Sequence, residues 1–187
     1  MKAVLLAGGL GTRLREETEY RPKPMVEVGG RPILWHIMRH YAHFGLHEFI
    51  IALGYKSEII KEYLLRYHLY ARHLTISLAS GDVTPDEESD ATYEDWTVSA
   101  VDTGLNTNTG GRLRRLNAWL GGETFMMTYG DGVSNVPVDR LLAFHRDHGR
   151  ICTLTAVRPP ARFGSLGIAD GVVTEFREKA QSGEAWI

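Results

Sequence analysis

The sequence predicts an α/β fold: a mostly parallel β-sheet with helices on both faces. Two observations support this. Short apolar runs alternate with longer segments of helical periodicity, and the clearest apolar runs end at glycine. The connections between the predicted strands and helices are short, which is typical of strand–helix–strand units in a parallel sheet. Sheets of this kind bind ligands at the carboxyl ends of their strands.

The elements follow in order along the chain. Lys2 to Ala7 is the first predicted strand, and Gly8 ends it. Pro32 suits the first turn of a helix over 32–41, and Gly45 suits its exit. Ser57 is a candidate cap for a later helix that runs through Leu64. The remaining predicted elements are strands at 49–53, 74–78, 96–101, 124–129, 151–157 and 172–176, and helices at 112–120 and 138–148.

Composition limits the class of protein. The 187 residues are 43% hydrophobic with a formal net charge of −2, so we expect a folded domain over 1–187 and no nucleic-acid partner. Cys152 is the only cysteine, which favours a reducing compartment. The start does not resemble a signal peptide, and no apolar run approaches the ~18 residues that span a bilayer. We therefore expect a cytoplasmic location and no membrane contact.

An acidic segment interrupts the pattern at 81–95. It contains seven Asp and Glu residues and no basic residue, and Pro85 breaks any helix there. We expect a solvated surface loop. The alternative is a flap that closes over a ligand or reaches a neighbouring subunit.

A glycine-rich loop follows the first strand. Gly8, Gly9 and Gly11 lack the Cβ atoms that keep backbone N–H groups away from a phosphate. Thr12 adds a hydroxyl, and Arg13 adds a charged fork suited to phosphate oxygens. The loop fails both common phosphate patterns: Leu14 stands where a dinucleotide motif has its last glycine, and no Walker G-K-[ST] follows. A simple tight turn is the alternative.

Two further residues have the chemistry of phosphoryl transfer. Lys23 lies between Pro22 and Pro24, which we expect to hold it in extended backbone where its ammonium can neutralise a reacting phosphate. Asp131 follows a predicted strand within Gly130-Asp131-Gly132, a position suited to holding Mg²⁺ against phosphates. The alternatives are a surface lysine and an ordinary turn aspartate.

Together these motifs resemble the sugar-1-phosphate nucleotidyltransferases, which have a Rossmann-like nucleotidyltransferase fold. The resemblance rests on three motifs: L-A-G-G-x-G-T-R-L, K-P-K-P-M and Y-G-D-G. In the second motif this sequence has Arg21 in place of the first lysine. It is nearest to the glucose-1-phosphate cytidylyltransferase branch and runs along the whole sequence. The segments that point to this branch are 32–37, 101–104, 109–113 and 162–164.

The resemblance implies substrates, a cofactor and site residues. It implies that glucose 1-phosphate attacks CTP with Mg²⁺ as cofactor, and that the protein is a homo-oligomer. It also implies that Arg13, Lys23 and Asp131 are catalytic residues and that Asp131 is the metal ligand. Gly164, Glu178 and Lys179 would face the sugar phosphate. The residues implied to hold the nucleotide are Leu6, Ala7, Gly8, Gly9, Gly11, Thr12, Arg13, Lys23, Thr109, Gly110, Gly111, Arg112 and Gly130.

The sequence departs from the family pattern in two places. Ala180 stands where the family has proline after its glutamate-lysine pair, which loosens the expected geometry of Lys179. The sequence ends at Ile187, where the family continues with further strands and a second metal-binding aspartate. We therefore expect an incomplete domain with a weakened metal site.

Three alternatives remain open. The first keeps the reaction but uses UTP, dTTP or another sugar phosphate. The second is a noncatalytic nucleotide-binding module, and the third is a Rossmann oxidoreductase, which the missing third glycine makes the weakest. His36 and His40 have the i, i+4 spacing of zinc ligands, but no glutamate follows His36, so we expect a solvated or interfacial helix face.

Overall fold

The computed structural model describes residues 1–9, 20–70, 73–85, 94–157, 165–169 and 171–177. The strands are β1 (Lys2–Leu6), β2 (Glu27–Val28), β3 (Arg31–Pro32), β4 (Glu48–Leu53), β5 (Leu74–Ile76), β6 (Val83–Pro85), β7 (Thr97–Asp102), β8 (Met126–Tyr129), β9 (Ser165–Ala169) and β10 (Val172–Arg177). The helices are α1 (Ile33–His43), α2 (Ser57–Tyr70), α3 (Thr109–Arg115), α4 (Asn117–Leu120) and α5 (Val138–His148), and Lys23–Met25 forms a 3-10 turn.

Four of the strands form a parallel sheet in the order β7-β4-β1-β8. Leu6 pairs with Ala52 of β4 on one side and with Tyr129 of β8 on the other, so all the strand exits lie at one edge. The remaining strands form three antiparallel pairs, β2 with β3, β5 with β6, and β9 with β10. The predicted mostly parallel sheet is confirmed.

Alternate residues of the sheet strands pack against helices on opposite faces. On one face, Val4, Ile50 and Val101 form a buried cluster with Leu116 and Leu120, the residues that flank or end α4. Burying side chains of this size stabilises the fold by roughly 1.5–3 kcal/mol each.

On the other face, side chains of β7 face α1 and α2. Val98 and Ala100 border an apolar groove together with Met38 of α1 and Leu64 of α2. The ring of Phe49, in β4, lies 5.5 Å from the Trp96 ring. Helices therefore cover both faces of the sheet, as the sequence predicts.

Two predicted elements differ from the structure. The helix predicted over 112–120 begins earlier and is two short helices, because Leu116 (φ −85°, ψ 0°) leaves helical geometry while its side chain remains fully buried. The strand predicted at 151–157 is wrong, since no described strand pairs with it. Its β-branched residues favour a strand only where a neighbour completes the hydrogen-bond ladder.

The acidic segment is described at its two ends, 81–85 and 94–95. Val83–Pro85 forms strand β6, and Glu94 ends a chain of hydrogen bonds in which Trp35 donates to Tyr67 (2.7 Å) and Tyr67 donates to Glu94. Burial, reinforced by the Glu94 carboxylate, raises the pKa of Tyr67 above its ordinary range. Whether the segment is a solvated loop or a flap stays a prediction.

The chain divides into two compact units, Met1–Val136 and Pro137–Ile187. The first contains the four-stranded sheet, and the second contains α5 and the β9–β10 pair. A single domain over 1–187 stays a prediction. In the part of the chain that the structure describes, every helix is too short or too polar to cross a membrane.

Candidate nucleotide-binding cleft

The parallel register brings the described parts of three predicted loops to one edge of the sheet. The loops after β1, β7 and β8 all begin at this edge and lie close to one another. Between them lies a cleft of about 280 Å³. It is lined by Leu6, Ala7, Gly8, Gly9, Lys23, Pro24, Thr107, Asn108, Thr109, Arg112, Tyr129 and Asp131.

The described glycines of the first loop serve different purposes. A Cβ atom on Gly8 would lie 2.1 Å from Nη1 of Arg112, so this position must be glycine to admit the guanidinium. A Cβ atom on Gly9 would meet no atom of the described residues within 4 Å. Gly9 is exposed at the cleft, where the missing side chain leaves room for a ligand.

Lys23 begins the 3-10 turn that follows Pro22. Pro22 has extended backbone (φ −67°, ψ 147°), but Lys23–Met25 then turns, with Met25 N–H donating to Pro22 O at 2.8 Å. The expectation that both prolines hold Lys23 in extended backbone is therefore wrong for Pro24. A proline early in a helical turn has a fixed φ that suits the turn, and its missing N–H is not needed there.

Lys23 and Asp131 form an ion pair in the cleft. Lys23 Nζ donates to Asp131 Oδ2 at 2.6 Å, with the two side chains 30% and 35% exposed. A pair this exposed contributes under about 1 kcal/mol to stability. Its significance is chemical, because it places one positive and one negative group where a phosphate and a cation would each need a partner.

Arg112 forms a buried wall of the cleft. Its side chain extends from α3, and its guanidinium donates to oxygens of the loops that follow β1, β4 and β7. Burial lowers the pKa of this guanidinium, and the charge of nearby Arg115 lowers it further. Arg115 Nη1 also donates to Thr103 O (2.6 Å) and Thr107 Oγ1 (2.8 Å), so two arginines support the β7 exit.

The start of α3 borders the cleft at Thr109. Asn108 caps this helix, its side chain accepting from Gly111 N–H at 2.8 Å. A Cβ atom on Gly111 would lie 2.8 Å from Thr107 Cγ2, whereas Gly110 has open space. The predicted reason for glycine, room for a ligand, therefore fits Gly110 better than Gly111.

Several cleft residues were not predicted from the sequence. Pro24, Thr107, Asn108 and Tyr129 line it together with the predicted residues. Asn108 could have been predicted as the residue that begins a helix, since asparagine before a helical run is a common N-cap.

Other predicted site residues lie outside the described residues. They are Gly11, Thr12, Arg13, Gly164, Glu178 and Lys179. Their roles stay predictions.

His36 and His40 each form a hydrogen bond with a backbone carbonyl. The ring Nε2 atoms lie 2.8 Å from Val28 O and 2.9 Å from Val136 O. Both rings border a second cavity of about 330 Å³, which shares Asp131 with the nucleotide cleft. Among the described residues, no cluster of three histidine, cysteine or acidic side chains is arranged to hold a metal.

Parallel strand exits, two described glycines and a paired lysine and aspartate form a cleft suited to the phosphates of a nucleotide. The chain belongs to the nucleotidyl transferase family, whose model matches residues 2–185. It is 48% identical to the glucose-1-phosphate cytidylyltransferase of Salmonella typhimurium, covering all of this chain and 72% of that protein. The prediction of a nucleotidyltransferase is confirmed.

Two further comparisons show how far the likeness extends. The mannose-1-phosphate guanylyltransferase catalytic subunit beta of Dictyostelium discoideum is 30% identical over 97% of this chain and 45% of its own length. The structure of HddC from Yersinia pseudotuberculosis, complexed with GMP-PN, aligns with a TM-score of 0.59 at 23% identity. That alignment covers all of this chain and 72% of the other, and it supports the nucleotidyltransferase fold.

Proposed function

We propose that this chain transfers the cytidylyl group of CTP to α-D-glucose 1-phosphate, giving CDP-glucose and pyrophosphate. The observation that carries the proposal is the meeting of Gly8, Gly9, Lys23 and Asp131 in one cleft at the strand exits. The choice of CTP and glucose 1-phosphate is supported by the 48% identity to the Salmonella cytidylyltransferase, against 30% to the guanylyltransferase.

The reaction exchanges one phosphoanhydride linkage for another. A phosphate oxygen of glucose 1-phosphate attacks the α-phosphorus of CTP, and a new P–O bond forms. The bond from the α-phosphorus to the bridging oxygen breaks, and pyrophosphate leaves with that electron pair. The protein need form no covalent bond, so catalysis is positioning and charge neutralisation.

Lys23 is the described cation best placed for the second task. Its ammonium lies in the cleft beside the glycine loop, paired with Asp131. The triphosphate of CTP offers Lys23 a stronger partner than the Asp131 carboxylate, because the triphosphate as a whole carries several negative charges. We propose that Lys23 then neutralises charge near the α-phosphate.

Asp131 fits the requirements of a magnesium ligand. It is the only carboxylate among the described residues that line the cleft, it is partly exposed, and its second oxygen forms no described hydrogen bond. Mg²⁺ favours one or two carboxylates together with substrate phosphates, and when bound it supplies charge neutralisation. We propose that Asp131 holds the cation there while Lys23 turns to the nucleotide.

The remaining roles rest on family membership. We propose that Gly11, Thr12 and Arg13 complete the triphosphate cradle and that Gly164, Glu178 and Lys179 face the sugar phosphate. Thr109, Gly110 and Gly111 would border the nucleoside. A homo-oligomer and a cytoplasmic location are proposed on the same basis, the latter supported by the single cysteine.

A nucleotide panel tests the substrate assignment. Purified protein is given glucose 1-phosphate, Mg²⁺ and one of CTP, UTP, dTTP, ATP or GTP, and pyrophosphate release is measured. We expect release with CTP at least ~10-fold faster than with any other nucleotide, as one well-made polar contact to a base discriminates by this much or more. Release with UTP or dTTP and none with CTP would refute the cytidylyl assignment.

A further inference from the structure

A single buried guanidinium joins three strand exits at the cleft. Arg112 Nη1 donates to Leu53 O (2.9 Å), Thr103 Oγ1 (2.7 Å) and Gly104 O (2.9 Å). Arg112 Nη2 donates to Gly8 O (2.8 Å) and Leu105 O (3.2 Å). These oxygens belong to the ends of β1, β4 and β7, which are separated by up to about a hundred positions in the chain.

The partners of this charge are neutral oxygens. Arg112 is only 5% exposed, and no carboxylate of the described residues lies within ion-pair distance of it. A buried charge is normally paired with an opposite one, because burial removes its hydration. Here carbonyl and hydroxyl dipoles replace water, which ties the guanidinium to their positions.

Two glycines make room for this arrangement. A Cβ atom on Gly8 would lie 2.1 Å from Arg112 Nη1. A Cβ atom on Gly54 would lie 2.8 Å from the same nitrogen and 2.6 Å from Gly8 O. Glycine at both positions therefore lets the loops after β1 and β4 lie close to each other and to the guanidinium.

The Nη donors of Arg112 are used within the protein. Its two Nη atoms carry four hydrogens and have five oxygen acceptors within hydrogen-bond distance. A nucleotide oxygen that binds an Nη atom would have to displace one of these acceptors. The guanidinium borders the cleft, yet its Nη donors are directed at the loops that form the cleft.

We propose that Arg112 is a positioning residue, which acts on the nucleotide through the backbone that it holds. It fixes the spacing between the Gly8–Gly9 backbone on one side of the cleft and the Thr107–Thr109 segment on the other. The inference rests on the proposed function only in assuming that this cleft holds CTP.

The test compares Arg112→Lys with the control Arg114→Lys. Lysine keeps the charge but has one nitrogen, which cannot reach Gly8 O and the β7 exit together. Arg114 is exposed on the same helix and has no described hydrogen bond, so its replacement controls for the change of residue type. Both variants and the wild type are measured by amide hydrogen exchange without ligand and by calorimetry with CTP.

The exchange rates of three backbone amide groups measure how firmly the strand exits at the cleft are held. The N–H groups of Ala7, Tyr55 and Thr103 donate to Ala52 O (3.0 Å), Gly8 O (3.3 Å) and Leu53 O (3.0 Å). In Arg112→Lys we expect exchange in these three segments to accelerate at least ~10-fold, as hydrogen bonds to a charged group are lost. Exchange in α5 should remain at the wild-type rate, and Arg114→Lys should match the wild type throughout.

Nucleotide affinity provides the second readout. We expect the dissociation constant for CTP to rise at least ~10-fold in Arg112→Lys, because the cleft walls no longer keep their spacing. A purely structural role would lower the folded fraction and leave the affinity of the folded molecules unchanged, which would overturn the proposal. Weakened CTP binding with wild-type exchange at the three exits would overturn it too, since Arg112 would then contact the nucleotide directly.

A second pair of variants applies if Arg112→Lys does not fold. Thr103→Val removes the hydroxyl, which accepts from Arg112 Nη1 and donates to Leu53 O, and Thr103→Ser retains both bonds. We expect faster exchange at the three exits and weaker CTP binding in Thr103→Val alone, and equal behaviour of the two variants would overturn the proposal. The exchange measurement needs no substrate, so failure of the wild type to use CTP would refute the proposed function without changing this result.

Discussion

Two opposite charges, on Lys23 and Asp131, lie side by side in the cleft. Each is a predicted site residue because of its flanking prolines or glycines, and the two are 108 positions apart. The prediction put both at one phosphate site. Their ion pair at 2.6 Å was not predicted, because it depends on how the 3-10 turn lies across the β8 exit.

Replacing Lys23 by methionine tests its proposed role. Methionine keeps much of the side-chain length and removes the charge, so we expect turnover to fall at least ~10²-fold, as for other removed transition-state contacts. Lys61→Met is the matched control, because Lys61 is exposed on α2 and lies outside the cleft.

Stability separates this effect from misfolding. The Lys23–Asp131 pair is about one-third exposed, so its loss should change the free energy of unfolding by less than about 1 kcal/mol. Thermal unfolding of Lys23→Met is therefore expected to match that of the wild type. Wild-type turnover in this variant would contradict the role given to Lys23.

The burial of the Arg112 side chain cannot be predicted from its residue type. The family resemblance predicts that Arg112 contacts the nucleotide. An arginine on a short helix, however, gives no indication that its guanidinium is buried among carbonyls. Charged side chains are usually exposed, so the expectation from residue type is a solvated group. Only the convergence of three loops from distant parts of the chain creates the buried position.

At the scale of elements, local signals located most helices and strands. Strand β4 and helix α5 agree with their predicted positions to within one residue because apolar periodicity and glycine exits mark them. The break at Leu116 was missed because its cause is tertiary: Leu116 is fully buried in the sheet-facing cluster. The strand predicted at 151–157 failed for a similar reason, since a strand needs a neighbour that composition does not reveal.

Helix α3 yields a prediction about its two adjacent glycines. Gly110 is exposed and has no atom near its missing Cβ, so Gly110→Ala should stabilise the helix by roughly 0.5–1 kcal/mol. If Gly110 lies against the nucleoside, the same change should raise the KM for CTP. Denaturant unfolding and steady-state kinetics measure the two effects.

Gly111→Ala is the matched comparison for this prediction. Its Cβ atom would lie 2.8 Å from Thr107 Cγ2, so we expect a loss of stability. Higher stability in Gly110→Ala with an unchanged KM would show that the nucleoside does not approach Gly110.

At the scale of the whole molecule, the parallel sheet accounts for the location of the cleft. Four parallel strands end at one edge, which is why a loop at 7–9 and a turn at 130–131 form one cleft. The alternation of apolar runs and helices predicted this edge. The family relationship identifies the chain as a nucleotidyltransferase, and we propose that its site lies at this edge.

Following the reaction by ³¹P NMR shows whether the protein transfers the cytidylyl group of CTP to glucose 1-phosphate. The protein is mixed with CTP, glucose 1-phosphate and Mg²⁺, and the phosphorus signals are followed over time. We predict loss of both substrate signals and growth of pyrophosphate and of the paired diphosphate resonances of CDP-glucose. Unchanged spectra from protein that binds CTP by calorimetry would contradict the claim and identify a noncatalytic nucleotide-binding module.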